Sequence, residues 1–346
     1  MSYGDGFKRR KVESTLGSAL EYKPSTRFMP LGGRSHTMSV AIPTSILADC
    51  STSEQRINAP SRIARALAIF SIDEVVIYDD SPVDSRPPAV DQEGYTGDTD
   101  PGHYLFHLLS YMETPPFMRK TLFPLHPNLR LQGLLPTLEM PHHPHRDEHL
   151  PYMEGLTLPG KPENPTHNTI VDLGLRKPVS IAARIDPKTR VTLHFPDESF
   201  ANGTPVDPAE PRTEAGYYWG FQIRRCGSLS AVFTEAPYDG GYDVSIGTSE
   251  RGEPASRVFP RSETISSDPP AAIFNHLLIV FGGPRGIEYA AMNDVDLSGV
   301  GIKVSNVRET FDYWVDVLPN QGNRSIRTDE AIFIALTELR RLWSDV

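Results

Sequence analysis

The spacing of apolar and polar positions changes twice along the chain. From Met38, MSVAIPTSI is a nearly unbroken apolar run of strand length and predicts a buried strand. SRIARALAIF follows, with Ile63, Ala66, Leu67 and Phe70 on one helical face and Pro60 and Ser61 as the start signal. DEVVIYDD then supplies a second short apolar strand bounded by acids. Strand, helix and strand in that order predict a βαβ unit and a parallel sheet. After a proline- and acid-rich loop over 81–102, HYLFHLLSYMETP has a helical apolar period. PPFMRKTLFPLHPNLRLQGLLP is punctuated by prolines and predicts turns and short helices.

Around Met140 the period becomes two. VDLGLRKPVSI, ARIDPKTRVTLHF and GYYWGFQIRRCGSLSAVF alternate and are separated by turn residues, which predicts a small β-barrel. From about Tyr242 the α/β pattern returns in YDVSIGTSERG, FNHLLIVFGGPRGIEYA and WVDVLPNQGNRSIRTDEAIFIALTELRRLW. The expected organisation is a polar, mostly disordered tail over 1–36, an α/β part over 37–140, a barrel insertion over 141–238, and the rest of the α/β domain over 239–346. No internal repeat is found.

Composition narrows the class. The 346 residues are 38% hydrophobic and 23% charged, as in soluble globular chains. No stretch approaches the roughly 20 apolar residues of a membrane span. MSYGDGFKRRKVESTLGS lacks the apolar core of a signal peptide. Two cysteines, Cys50 and Cys226, make neither a disulfide framework nor a metal knuckle, so a reducing intracellular compartment is expected. The net charge of -10 reports on solubility and does not exclude a local basic patch that binds nucleic acid. Lys8 to Lys11 is either a nuclear address or a solvated tail.

Three strand-ending loops carry the candidate chemistry. FGGPRG follows the apolar strand LLIV, where glycines let backbone approach a ligand or form a tight turn. It is not a dinucleotide fingerprint and, with no Gly-Lys-Ser/Thr, not a phosphate loop. GTSERG ends a second strand, and its Arg251 either reaches an anion or makes a surface ion pair. The third loop, Asn320 to Arg327, precedes a helix with Thr328 as its expected N-cap and a buried stripe of Ile332, Ala335, Leu336, Leu339 and Trp343. Three such loops in one sheet crevice, without a phosphate motif, favour an adenosyl ligand lacking phosphates. S-adenosylmethionine fits.

SRIARALAIFSIDEVVIYDD, YMETPPFMRKTLFPLHPNLRLQGLLPTLEMPHH, VSIGTSERG, LIVFGGPRGIE and LPNQGNRSIRTDEAIFIAL, in that order, resemble the SPOUT class of methyltransferases. More narrowly, they are similar to its eukaryotic and archaeal branch with an inserted OB-like barrel. The resemblance implies an α/β, knotted parallel-sheet domain, the SPOUT trefoil knot, carrying an inserted OB-like β-barrel. It implies S-adenosylmethionine as cofactor, with S-adenosylhomocysteine as product, an RNA substrate, a homodimer and no membrane. By position, Gly282 and Gly283 would line one cofactor loop and Leu318, Asn320, Gln321, Gly322, Ile326 and Thr328 another. Thr248, Arg251 and Gly252 would form the third wall. The class commonly has serine after Q-G and glutamate before E-A, where this chain has Asn323 and Asp329.

Methyl transfer needs alignment of donor and acceptor more than a nucleophile, so a basic surface beside the methyl group is expected. Arg56, Arg62, Arg65, Arg119 and Lys120 are candidates for it, and Arg65 and Arg119 are the leading ones for RNA positioning. Solvated helix charge is the alternative. PHHPHRDEH (141–149) has the histidines of a metal site, but Pro141 and Pro144 break the alignment and no cysteine contributes. No metal is expected; packed or hydrogen-bonded histidines at a domain junction are, with RNA contact as a third reading. Tyr217, Tyr218, Trp219 and Phe221 beside Arg224 and Arg225 either stack on bases or fill the barrel. The expected function is an RNA methyltransferase acting on ribosomal RNA, with uridine N3 as an acceptor, in the nucleus or nucleolus. The alternative is a catalytically silent RNA-binding or scaffold protein in ribosome assembly or at centromeres. A nucleotide-dependent oxidoreductase lacks its fingerprint.

Overall fold

Every residue of β1 (Thr37–Pro43) and of β2 (Glu74–Tyr78) is buried. Near-continuous apolar strands need such a place, inside a parallel sheet covered on both faces. α1 (Ser53–Ile69) connects them. The structure, a computed structural model, describes residues 30, 32–86, 94–143, 150–159, 168–174, 176–197, 199–200, 202–260 and 274–343. The basic run Lys8 to Lys11, most of the expected N-terminal tail and 144–149 of the histidine-rich segment lie outside them.

After β2 come α2 (Pro101–Glu113) and α3 (Pro116–Leu122). A five-stranded antiparallel sheet follows: β3 (Tyr152–Thr157), β4 (Thr169–Asp172), β5 (Val179–Ile181), β6 (Arg190–His194) and β7 (Thr204–Val206), in spatial order β5-β4-β3-β6-β7. A short turn of helix, α4 (Glu210–Thr213), leads back to the first sheet. That sheet is completed by β8 (Gln222–Cys226), β9 (Val244–Pro254), β10 (His276–Val280) and β11 (Tyr313–Asp316). Its order is β11-β9-β10-β1-β2-β8, and every neighbouring pair is parallel. Between these strands run α5 (Leu229–Thr234), α6 (Ala255–Val258), α7 (Ile287–Met292) and α8 (Val295–Gly299), and α9 (Thr328–Leu339) follows β11.

Side chains alternate across the parallel sheet as a pleated strand requires. Val40, Ile42, Val75, Ile77, Leu277 and Ile279 face α1, α2 and α9, meeting Ile63, Leu67, Leu105, Leu108, Ile332 and Leu336. Ala41, Val76, Tyr78, Leu278 and Val280 face the other way, onto Leu229, Val232, Ile287 and Ala291. Each fully buried aliphatic side chain contributes about 1.5–3 kcal/mol. The antiparallel sheet has its own smaller core of Val171, Leu173, Ile181, Leu193, Phe195 and Phe200.

Several expectations change. α1 starts at Ser53, not at Pro60, because Thr52 accepts the Gln55 N–H at 3.2 Å and the Gln55 side chain accepts back from the Thr52 N–H. Pro60 lies inside the helix. The antiparallel unit ends by Val206: QIRRC, expected in the barrel, is β8 and pairs in parallel with β2. The insertion's boundary at 238 therefore moves back. Arg34 and His36, at the end of the expected tail, are held in place. Arg34 forms paired bonds of 2.8 and 2.6 Å to Asp73, and His36 is buried.

A buried polar cluster joins the two sheets. Glu113, at the end of α2, receives Arg190 of β6 through bonds of 2.6 and 3.0 Å. Arg190 also bonds Glu154 of β3 at 2.6 Å. His142 Nε2 lies 2.9 Å from the Glu113 carboxylate, and His143 Nε2 donates to the Glu113 carbonyl at 2.6 Å. The first two histidines of PHHPHRDEH are thus hydrogen-bonded parts of a domain junction. Burial alone would raise the Glu113 carboxyl, but Arg190 and His142 outweigh it and hold the group well below the usual carboxylate range. Burial pulls His143 down to about 3.

Both shifts have the same consequence. Between about 3 and its ordinary 6.5, His143 binds a proton only when unfolded, and below its ordinary 4.5 so does Glu113. Stability therefore falls as pH falls through these windows. We expect the melting temperature to drop steadily from pH 6.5 to 4, and the drop to flatten in His143→Gln. At pH 7, Glu113→Gln should cost on the order of 3 kcal/mol, measured by denaturant unfolding.

Candidate active site

The C-terminal ends of β9, β10 and β11 and the turn after β1 surround a cleft of about 510 Å³. This is the position where open parallel sheets hold ligands. Each wall has a local cause. β9 pairs with β11 at Ile246 and Gly247 and again at Glu253 and Pro254, so 248–252 are expelled from the ladder toward the cleft. Gly252 closes this bulge: a Cβ there would stand 2.3 Å from the Val315 carbonyl carbon. The Thr248 hydroxyl donates to the Val280 carbonyl at 2.9 Å and ties the bulge to the end of β10.

Beyond β10 the chain turns sharply. The Gly286 N–H donates to the Gly283 carbonyl at 2.9 Å, and Gly286 has φ +77°, in the left-handed region. A Cβ on Gly282 would lie 2.6 Å from the Gly286 carbonyl carbon, and one on Gly283 would lie 2.0 Å from Ser45 Oγ. These glycines let the turn close on itself and on the segment after β1, rather than simply clearing room for a ligand. That segment is pinned by Asp80, which accepts from the Ser45 N–H at 3.1 Å, the Ser45 hydroxyl at 2.5 Å and the Thr44 hydroxyl at 3.2 Å. Burial pushes the Asp80 carboxyl up, and these hydrogen bonds oppose the shift.

The last wall is the β11–α9 loop, where Asn320 takes φ +62°. Thr328 is the first residue of α9 and not its cap. Its hydroxyl instead donates to the Gly282 carbonyl at 3.0 Å, joining the last helix to the glycine turn.

Of the residues expected to hold a cofactor, Thr248, Arg251, Gly282, Gly283, Leu318, Gln321, Ile326 and Thr328 line the cleft. Gly252, Asn320 and Gly322 do not: Gly252 packs on β11, and Gly322 has nothing within 4 Å of a Cβ position. Ile46, Asp49 and Asp316, which sequence reasoning passed over, also face it, as do Arg324 and Arg327 of the third loop and Asp329 just after it. Asp316, the last residue of β11, could have been flagged by its place at a strand end, whereas Asp49 lies beyond the turn after β1 and carried no such signal. The chemistry suits an adenosyl group. Ile46, Ile63, Phe281, Val317 and Ile326 offer apolar contact, strand-end backbone offers hydrogen bonds, and Glu250 and Asp316 offer acceptors.

The arginines are rearranged. Arg65 lies in a neighbouring groove between α1 and α9, and its Nη1 donates to the Thr137 carbonyl at 3.3 Å. Arg119 turns inward. Its guanidinium donates to the Thr114 and Met112 carbonyls at 2.8 and 2.9 Å and lies 4.8 Å from the Tyr111 ring centroid. Burial lowers its pKa, and the carbonyls it meets are those left open where α2 ends. Neither arginine reaches the cleft. Arg56 pairs with Asp98 at 2.5 Å, whereas Arg62 reaches Asp329 at the cleft with Nη1 3.0 Å from Oδ2. The aromatic run is internal as well. Trp219 donates to Glu154 at 2.7 Å, Tyr218 to the Ile72 carbonyl at 3.0 Å, and Phe221 is buried. Arg224 bonds Glu74 at 3.0 Å and Arg225 bonds Asp100 at 3.3 Å. Tyr218, Trp219 and Phe221 thus pack between the two sheets.

The family described as "Putative RNA methyltransferase" matches residues 37–339. The chain is 38% identical to the 28S rRNA (uridine-N(3))-methyltransferase of Homo sapiens over 341 residues, 96% of this chain and 85% of that protein. It is 39% identical to the protein of the same name in Drosophila melanogaster, over 88% of this chain and 62% of the relative. The protein named "Putative methyltransferase spot-1" in Caenorhabditis elegans is 28% identical over 97% of this chain and 89% of its own length.

The glycines of the site should not be equivalent. Gly252→Ala forces a Cβ into β11 backbone and should cost about 1–3 kcal/mol. Gly322→Ala meets open space and should stay within about 0.5 kcal/mol of the parent. Thermal unfolding of both variants checks the contrast.

Proposed function

We infer the role of the cleft from one fact of kinship: this chain belongs to the RNA methyltransferase family. It is an enzyme that methylates RNA. We propose ribosomal RNA as the substrate and a uridine N3 as the acceptor, with S-adenosylmethionine as the donor. The observation that carries this reading is the cleft itself, at the C-terminal ends of parallel strands, where apolar side chains such as Ile46 and Ile326 stand beside acidic ones such as Glu250 and Asp316. The relatives named 28S rRNA (uridine-N(3))-methyltransferase, alike over most of the chain, support the substrate.

When bound, S-adenosylmethionine would supply a methyl group on a positively charged sulfur. The chain's residues supply position. Backbone of the glycine turn and of 318–328 would hold the adenosine, with Ile46 and Ile326 against its base. Glu250 and Asp316 would meet ribose hydroxyls or the amino group of the methionine part. Holding the two reactants in line is the main source of rate in such a displacement.

Finer features belong to the same proposal. The strand order β11-β9-β10-β1-β2 and the bond from Thr328 to Gly282 support a threaded SPOUT trefoil knot. The five antiparallel strands support an OB-like insertion. The groove between α1 and α9, lined by Ile69 at 51% exposure, Phe333 and Ile334, supports a homodimer across that face. A nucleolar location goes with the proposed substrate.

S-adenosylhomocysteine should bind with micromolar-range affinity in a calorimetric titration; no heat and no thermal shift would remove the cofactor. Nucleotide mapping of total RNA with and without the protein should show one N3-methyluridine lost from ribosomal RNA. Cofactor binding with an unchanged map would favour the scaffold reading instead.

A further inference from the structure

Asp329 is an unusual carboxylate for the rim of an open cleft. Its side chain is 4% exposed, in the first turn of α9, while the two cations beside it are half in solvent. Arg62 of α1 has its Nη1 3.0 Å from Oδ2 and a side chain 50% exposed. Arg327, just before α9, has its Nε 3.4 Å from Oδ1 and a side chain 45% exposed. Oδ2 makes no aligned hydrogen bond among the described residues, so its contact with Arg62 is ionic. Removing a carboxylate from water costs several kcal/mol unless it is well paired. Here that cost holds two guanidiniums from separate elements beside one another. Their remaining N–H groups have no partner among the described residues.

We propose that Arg62 and Arg327 form a two-pronged clamp for the O2–N3–O4 edge of the target uracil, with Asp329 as the residue that positions both prongs. The inference rests on the uridine N3 reading. Uracil places carbonyl oxygens on either side of N3, and two guanidiniums offer donors to both. Cytosine would present an amino group to one prong, donor against donor, and is rejected. N3 of uridine carries a proton at neutral pH and has no free lone pair in the ring plane. The N3–H bond must break, its proton passing to water. The N3 lone pair then forms the bond to the methyl carbon, and the electrons of the carbon–sulfur bond return to sulfur. Loss of the proton spreads negative charge over O2 and O4, where the clamp meets it. The clamp therefore stabilises the reactive anion more than the neutral base, which is the condition for catalysis rather than mere binding.

Arg327 lines the cleft and Arg62 the adjoining groove between α1 and α9, so the pair stands on the rim between the two. The other charged groups of the cleft are less suited. Arg251 pairs with Glu288 at 3.5 Å, and Arg285 lies 4.0 Å over the Tyr289 ring. Asp316 accepts the Leu318 N–H at 2.9 Å. Asp49 and Glu250 are anions and would oppose the charge that develops on uracil. Arg324, on the loop before α9, is exposed without a carboxylate to fix its direction among the described residues.

Asp329→Asn keeps the shape and removes the charge that aims both arginines. kcat should fall about 100-fold, while the affinity for S-adenosylhomocysteine stays within about threefold. The pH at which the rate of N3-methyluridine formation levels off should move upward, because the uridine anion has lost its support. Asp329→Glu should recover part of the rate. Binding gives a second readout. A short RNA carrying 5-fluorouridine, whose N3 is more acidic, should bind the parent more tightly at pH 9 than at pH 7. Asp329→Asn, Arg62→Gln and Arg327→Gln should each lose that gain. An unmoved pH profile, or cofactor affinity falling in step with kcat, would overturn the clamp. Failure of the parent enzyme to make N3-methyluridine, with S-adenosylhomocysteine still bound, would instead overturn the uridine reading beneath it.

Discussion

β9 cannot pair with β11 along its whole length, and the site depends on that constraint. The two strands meet at Ile246 and Gly247 and only rejoin at Glu253 and Pro254. What lies between must leave the ladder, and it leaves at the C-terminal edge of a parallel sheet, where the β10 turn already ends. The bulge, the glycine turn and the β11–α9 loop are then linked by side-chain bonds to main-chain carbonyls, Thr248 to Val280 and Thr328 to Gly282. Because both hydroxyls donate inward, the loops form a fixed cradle while their remaining backbone groups face the cleft. A loop so tied loses little entropy when a ligand arrives, which is the physical content of preorganisation.

The second sheet is attached by charge rather than by a shared core. Its apolar cluster is separate from the two that cover the parallel sheet. Glu113 and Arg190, with Glu154, cross the junction, and Trp219 reinforces it from the segment that returns to the first sheet. A buried ion pair of this kind adds little net stability over apolar packing, but its geometry is specific. It fixes the angle at which the insertion stands relative to the α/β part.

The α/β alternation was legible because β1 and β2 are buried on both faces and α1 on one, so period and composition agree with position. The failures were local. Thr52 and Gln55 form a capping box that outweighs the proline signal at Pro60. Thr328 resembles an N-cap, but a carbonyl of a distant turn competes for its hydroxyl. QIRRC alternates like an exposed barrel strand because β8 is an edge of the parallel sheet, whose consecutive Arg224 and Arg225, on opposite faces, meet Glu74 and Asp100. The glycines of the cleft were found by their place after a strand. Their purpose, letting turns pack on Ser45 and on their own backbone, depends on contacts that no spacing reveals.

The arginines show why a site's chemistry is harder to read than its backbone. Arg62, Arg65 and Arg119 look alike as basic residues on or near helices. Arg119 answers the open carbonyls at the end of α2, a need its own neighbourhood creates. Arg65 is one helical turn from Arg62 but meets only a carbonyl across the groove. Arg62 differs because a carboxylate almost the length of the chain away, Asp329, is brought to its tip. A guanidinium keeps its charge in any surroundings, so its charge carries no information about its task. Its direction does, and direction is set by the buried acceptor it faces. Asp329 is thus the more informative residue. Its side chain is short and buried, so a guanidinium must come to it, and the reach of Arg62 and Arg327 decides where their free donors point.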